Sequence, residues 1–153
     1  VIDAVARTYG LQVVGVGTGR VAVALPTTGE SAPIVVKIAR YGPSAEMGDG
    51  RRQNCRERQL WEQVGEYPFL PVIDSDEVGN WLAMPRATVP PRATVVDEAL
   101  TQVRDALSAH TDVFHFDELK PENVGAYDGR YWVVDYGRPA GEPLFVDRPA
   151  AED

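Results

Sequence analysis

Two lysines stand among thirteen arginines in this chain, and both lie in stretches whose chemistry suits a phosphate. Lys37 closes the strand-like run Ile34-Val35-Val36-Lys37, and Lys120 lies within His115-Phe116-Asp117-Glu118-Leu119-Lys120-Pro121-Glu122-Asn123. An ammonium is a compact point charge on a flexible stem and meets a phosphate oxygen end-on, whereas a guanidinium is a planar fork. Upstream, Gly15-Val16-Gly17-Thr18-Gly19-Arg20-Val21 sets three glycines at alternate positions between two apolar runs. Glycine there permits a tight turn and a close approach of backbone N–H groups to an anion. Taken alone, the same run also reads as a plain hairpin.

The elements that must position these groups follow from apolar periodicity. Residues 11–16, 20–25 and 34–39 are β-branched runs that predict three strands, with a turn cluster at residues 26–30. A loop bearing glycine and proline, residues 41–50, leads to a helix over 51–64, where Cys55, Leu60, Trp61 and Val64 form an apolar stripe. Two more strands are expected at 70–73 and 81–84, joined through a turn at 75–80. Pro85-Arg86-Ala87-Thr88-Val89 is nearly repeated as Pro91-Arg92-Ala93-Thr94-Val95, and its prolines predict a hinge or linker. The clearest helix spans 96–109, with Val96, Leu100, Val103 and Leu107 on one face and Thr94 or Asp97 as the cap. Asp128-Gly129 predicts a hairpin between 123–127 and 131–135, and the acidic, proline-rich residues 138–153 read as a partly disordered tail.

The 153 residues suffice for one domain or two small lobes sharing a core. A net charge of −8 argues against a general nucleic-acid binder, which needs a basic footprint. No apolar run reaches the length of a membrane span, and the single Cys55 excludes an internal disulfide, so a cytoplasmic setting is expected. Acidic, lysine-poor composition fits a high-salt cytoplasm; a GC-rich genome would also favour arginine over lysine.

Taken in order, these pieces resemble the protein-kinase-like superfamily of eukaryotic Ser/Thr type, over residues 11–137. The resemblance implies an α+β fold with an antiparallel β-sheet N-lobe bearing one helix (residues 1–86). A hinge and strongly reduced helical C-lobe follow (87–137), then the tail (138–153). It further implies ATP and Mg²⁺ as cofactors. Gly15, Gly17 and Gly19 resemble the loop covering the phosphates, shortened by one residue. Lys37 matches the lysine that contacts the α- and β-phosphates, and its implied partner is Glu57, with Glu62 as the fallback. Met84 resembles the residue at the entrance to the adenine hinge, where Pro85 offers its C=O and Ala87 its N–H. In the segment after His115, Lys120 would neutralise γ-phosphate charge and Asn123 would hold metal. Asp135-Tyr136-Gly137 resembles the metal-binding Asp-Phe-Gly motif, with Asp135 on Mg²⁺.

The segment departs from the family in one extra residue between the histidine-aspartate end and Lys120. Anchored on His115, the catalytic carboxylate is Asp117; anchored on Lys120 and Asn123, it is Glu118. Sixteen residues follow Gly137, too few for the family's activation segment and peptide-binding helices. The resemblance therefore implies one of two functions. One is a miniature phosphotransferase acting on a docked protein partner or on itself. The other is a pseudokinase serving as a binding, scaffold or assembly module. A reduced second lobe should leave the apolar face of the 96–107 helix uncovered, so a protein partner or self-association is expected.

Overall fold

The computed structural model describes residues 8, 10–17, 19–26, 33–40, 45–88, 95–112 and 119–137. They form an α+β structure: five antiparallel strands, a two-stranded hairpin and two α-helices. The strands β1 (Gln12–Val16), β2 (Arg20–Ala24), β3 (Ile34–Ala39), β4 (Asp74–Ser75) and β5 (Trp81–Pro85) lie in the order β1-β2-β3-β5-β4. Register pairs Ala22 with Lys37, Lys37 with Leu82 and Val35 with Met84. Side chains alternate across a pleat, so Arg20, Ala22, Val35, Lys37, Leu82 and Met84 share one face of the sheet. A shift in register between Val13 and Gly15 bends the edge strand β1, a bulge at the place where glycine accommodates it.

Helix α1 (Ala45–Val64) begins six residues before the expected start at Arg51. The glycines that argued for a loop there do not break it, because Gly50 is buried at a close backbone contact. Its inner face also differs from the predicted stripe. Leu60, Trp61 and Val64 pack on the core, but Cys55 is only half-buried, and the inward positions one and two turns before Leu60 are Glu57 and Asn54. The helix face is thus apolar at its C-terminal end and polar at the other.

The predicted strand at 70–73 is absent. Pro71 has no N–H to give a ladder, and the chain here passes from one sheet to the other. Leu70 N–H donates to Val133 O at 3.0 Å, and Ile73 N–H donates to Ala83 O at 2.8 Å, leaving only Asp74–Ser75 as β4. Helix α2 (Val96–Leu107) tightens into a 3₁₀ turn at Ser108–His110. Val95 precedes it without a side-chain cap bond, so Asp97 is not the cap; with Glu98 it lies in the first turn, where a negative charge suits the helix dipole. Thr94 lies outside the described residues.

Strands β6 (Val124–Tyr127) and β7 (Arg130–Val133) form the expected hairpin, turning through Asp128 and Gly129 at φ of 48° and 76°. Two successive positive φ values are what a two-residue turn needs to match strand twist. Helix α2 packs on this hairpin, burying Ala99, Val103 and Leu107 against a core that includes Val124, Val133 and Phe69. Ala99, Val103 and Leu107 are therefore covered within the chain, which corrects the expectation of an uncovered face, while Val96 and Leu100 are half-buried. No described helix is long and apolar enough to cross a membrane.

Candidate functional site

A cleft of about 1030 Å³ opens on the sheet face that carries Arg20 and Lys37, at the upper end of the range for small-molecule sites. Its roof is the β1–β2 turn, with Gly15, Gly17 and Gly19. One wall is the end of β5 and the residues after it, from Met84 to Thr88. Lys120, Glu122, Asn123, Val134 and Asp135 close the opposite side. The turn is held by Gly17 N–H to Arg20 O at 2.8 Å and by Arg40, whose backbone N–H donates to Gly19 O and whose side chain donates to Gly17 O.

At the inner end of the cleft four charges meet. Lys37 Nζ lies 2.9 Å from Glu57 Oε1 and 3.2 Å from Oε2, and also donates to Val134 O. Arg20 forks onto the same carboxylate, Nη1 to Oε1 at 2.9 Å and Nη2 to Oε2 at 3.0 Å. It further donates to Asn54 Oδ1 at 3.0 Å and to Asp135 Oδ1 at 2.8 Å. Asn54 Nδ2 in turn donates to Gly79 O, tying the group to the β4–β5 turn. Two cations and two carboxylates balance to zero formal charge, which is how such a cluster tolerates burial.

Glu57 is wholly inaccessible. Burial alone would raise its pKa, but Arg20 and Lys37, by charge and by hydrogen bonding, reverse this and hold it at about 2 against an ordinary 4.5. Lys37 moves the other way for a cation. Burial pushes its pKa below the ordinary value; the Glu57 charge offsets this only in part, and the neighbouring Arg20 charge adds to the lowering. For Arg20, burial is outweighed by Glu57 and Asp135, so its pKa is raised.

The sign for Glu57 sets a pH dependence. A depressed carboxylate stabilises the fold fully above about pH 4.5, and that contribution is lost as the pH falls toward about 2. Unfolding free energy measured across this window should fall by up to roughly 1.4 kcal/mol per pH unit from this group. Glu57→Gln should flatten that slope; an unchanged slope would assign the acid sensitivity elsewhere.

The segment after β7 docks onto the same helix. Tyr136 N–H donates to Glu57 Oε2 at 3.0 Å, while its fully buried ring sends the hydroxyl to Leu70 O at 2.7 Å. Burial, then the Glu57 charge, pushes this phenol well above its ordinary range, so it remains a donor. Asn123 Oδ1 accepts from Lys120 N–H at 3.2 Å, and Asn123 O accepts from Val134 N–H at 2.8 Å. The 3₁₀ turn Pro121–Asn123 therefore sits directly against the residue before Asp135.

Backbone alternation shapes the wall after β5. Arg86 N–H donates to Pro33 O and Thr88 N–H to Ala126 O. Ile34 and Pro85 consequently face each other at a non-hydrogen-bonded position of the ladder. The Pro85 carbonyl is thereby directed away from Pro33, and both Pro85 and Ala87 line the cleft.

The structure brings Gly15, Gly17, Gly19, Lys37, Met84, Pro85, Ala87, Lys120, Asn123 and Asp135 to one cavity. Glu57 stands behind Lys37 and does not line it. Glu62, the alternative partner, instead lies 3.8 Å from Arg58 and is largely exposed. Asp117 and Glu118 lie outside the described residues. Sequence reasoning missed Arg20 and Asn54. Arg20 opens an apolar strand two residues before Ala22, a parity that places it on the Lys37 face. Asn54 lies one turn before Glu57, a spacing that puts it on the same side of the helix.

Among the described residues, no three or more His, Cys, Asp or Glu side chains gather as a metal site. Asp135 and Asn123 do supply hard oxygen donors of the kind Mg²⁺ takes when a phosphate provides the remainder. Compared with known proteins, the chain matches no family model and no curated sequence.

Proposed function

We propose that the chain is a protein-kinase-like phosphotransferase that uses ATP and Mg²⁺ and acts on a docked protein partner or on itself. The observation that carries this reading is the Lys37–Glu57 pair at 2.9 Å, set at the inner end of a cleft that the glycine turn, Lys120, Asn123 and Asp135 also line. Glu57 fixes the ammonium so that it presents a defined cation to a phosphate. The glycine turn brings backbone close to the same space, and the Pro85 carbonyl and Ala87 N–H offer an acceptor and a donor to a planar base. Lys120, exposed where it lines the cleft, is a counter-charge for the outermost phosphate. Asp135 and Asn123 would hold Mg²⁺, which when bound neutralises and orients the phosphates. The sequence before Lys120 would supply the carboxylate that takes the acceptor's proton, Asp117 or Glu118.

A second reading, a nucleotide-binding module without catalysis, is favoured by one contact. Asp135, the carboxylate assigned to metal, is engaged by Arg20 at 2.8 Å. One measurement decides between the readings: transfer of label from γ-labelled ATP with Mg²⁺, at low and at molar KCl, by wild type and by Asp135→Asn. The expected result is label on protein or in inorganic phosphate, reduced about 100-fold or more in the variant. No transfer at either salt by folded protein would select the binding module.

A further inference from the structure

Arg20 is held by acceptors of two kinds. Glu57 and Asn54, at most 1% exposed, fix the guanidinium in place through three hydrogen bonds of 2.9–3.0 Å. The fourth acceptor, Asp135, has a side chain that is half exposed. Both residues of this last pair line the cleft. The half-exposed Asp135 can be rehydrated when it leaves, so this pair is cheaper to separate than the wholly buried fork on Glu57. Nη2 therefore carries one N–H whose partner an incoming anion can replace while the guanidinium stays where it is. Its fork geometry and permanent charge suit phosphate oxygens.

We propose that Arg20 is a phosphate-binding residue of this cleft, and that Asp135 covers its cleft-facing N–H until ligand separates the pair. The proposal rests on the nucleotide-binding reading above and adds to it a residue and a form of control. Polyphosphate on Arg20 and a divalent cation on Asp135 each favour the separated pair, so each raises the other's affinity by the same factor. Without metal, the Asp135 carboxylate both occupies the donor and repels the incoming anion.

The test is calorimetric titration of ATP in EDTA into wild type, Asp135→Ala, Arg20→Gln and the double variant, with folding checked by circular dichroism. Asp135→Ala should bind metal-free ATP at least about tenfold more tightly than wild type, the scale of one charge-assisted hydrogen bond regained. The gain should vanish in the Arg20→Gln background. Should Arg20→Gln fail to fold, Arg20→Lys keeps the charge without the fork, and the gain should then fall below about threefold. No gain in Asp135→Ala, or an equal gain without Arg20, would overturn the proposal, the latter by showing simple charge removal. Wild type that binds MgATP under either of those outcomes keeps the nucleotide reading; absence of ATP binding in every folded variant, with or without Mg²⁺, overturns both.

Discussion

Replacing Glu57 by alanine is expected to cost about 3–5 kcal/mol of stability, the scale for removing one partner of a buried ion pair. The reason lies in the asymmetry between making a buried pair and orphaning one. Glu57 accepts from Arg20, Lys37 and the Tyr136 backbone N–H at once. Its removal leaves the Lys37 ammonium with a backbone carbonyl as its remaining described partner, and takes one anchor from the Asp135–Gly137 segment. Arg20 retains Asp135 and Asn54, so the penalty falls mainly on Lys37. Against a typical total of about 5–15 kcal/mol, such a loss is a large share of the whole stability. Urea denaturation followed by tryptophan fluorescence measures it. Glu62→Ala, a change at the exposed carboxylate one and a half turns on, should stay within about 0.5 kcal/mol. A Glu57→Ala loss below about 1 kcal/mol would mean that the cluster is hydrated and its charges already screened.

The second large effect is at Gly50. A Cβ built there would lie 2.0 Å from Gly19 O and 3.2 Å from the Ala39 Cα, both backbone atoms that cannot swing aside. Elsewhere in a helix, glycine to alanine gains about 1 kcal/mol from propensity. Here overpacking of roughly 1–3 kcal/mol or more opposes that gain and should win, because helix and turn must part by more than an ångström. Gly50→Ala should therefore lower the melting temperature, and on the proposed nucleotide reading it should also weaken ATP binding, since the displaced Gly19 lines the cleft. Gly15→Ala is the contrasting variant. Its Cβ would meet nothing nearer than the Ala22 Cβ at 3.8 Å, so stability should change little. Equal melting temperatures for Gly50→Ala and wild type would place the helix farther from the turn than described.

These expectations show which parts of the fold were legible in the chain and which were not. Strands β2, β3 and β5 were readable because runs such as Ile34-Val35-Val36 have a strong local preference and bound themselves with turns. The Asp128-Gly129 turn was readable because few residues take two positive φ values in succession. Residues 70–73 misled because an apolar run looks the same whether it pairs in one ladder or links two, and only tertiary contacts decide. The start of α1 misled for a related reason, since Gly50 signals a break locally but serves a contact with Gly19, thirty-one residues earlier. The pairing of Lys37 with Glu57 was reachable from the helix face that Leu60 and Val64 share with it. Arg20 was not, because a charged residue at the mouth of an apolar strand ordinarily points to solvent, and nothing local reveals that three acceptors from two distant segments converge on it.

The passage of the chain between the two sheets has a kinetic consequence. Pro68 O and Leu70 N–H both bond to Val133, Ile73 N–H bonds to Ala83 O, and a second pair of bonds joins Thr88 and Ala126. The five-stranded sheet and the hairpin are thus stitched along one side by short backbone bridges, and a swing of one against the other would have to break them. Among the described residues that line the cleft, the β1–β2 turn belongs to an edge ribbon, with Val14 and Val16 exposed. Opening of the cleft would accordingly be a local displacement of this turn rather than a hinge motion of two domains. A hydrogen-exchange experiment would see this as fast exchange in the turn beside strongly protected amides at Leu70, Thr88, Ala126 and Val133.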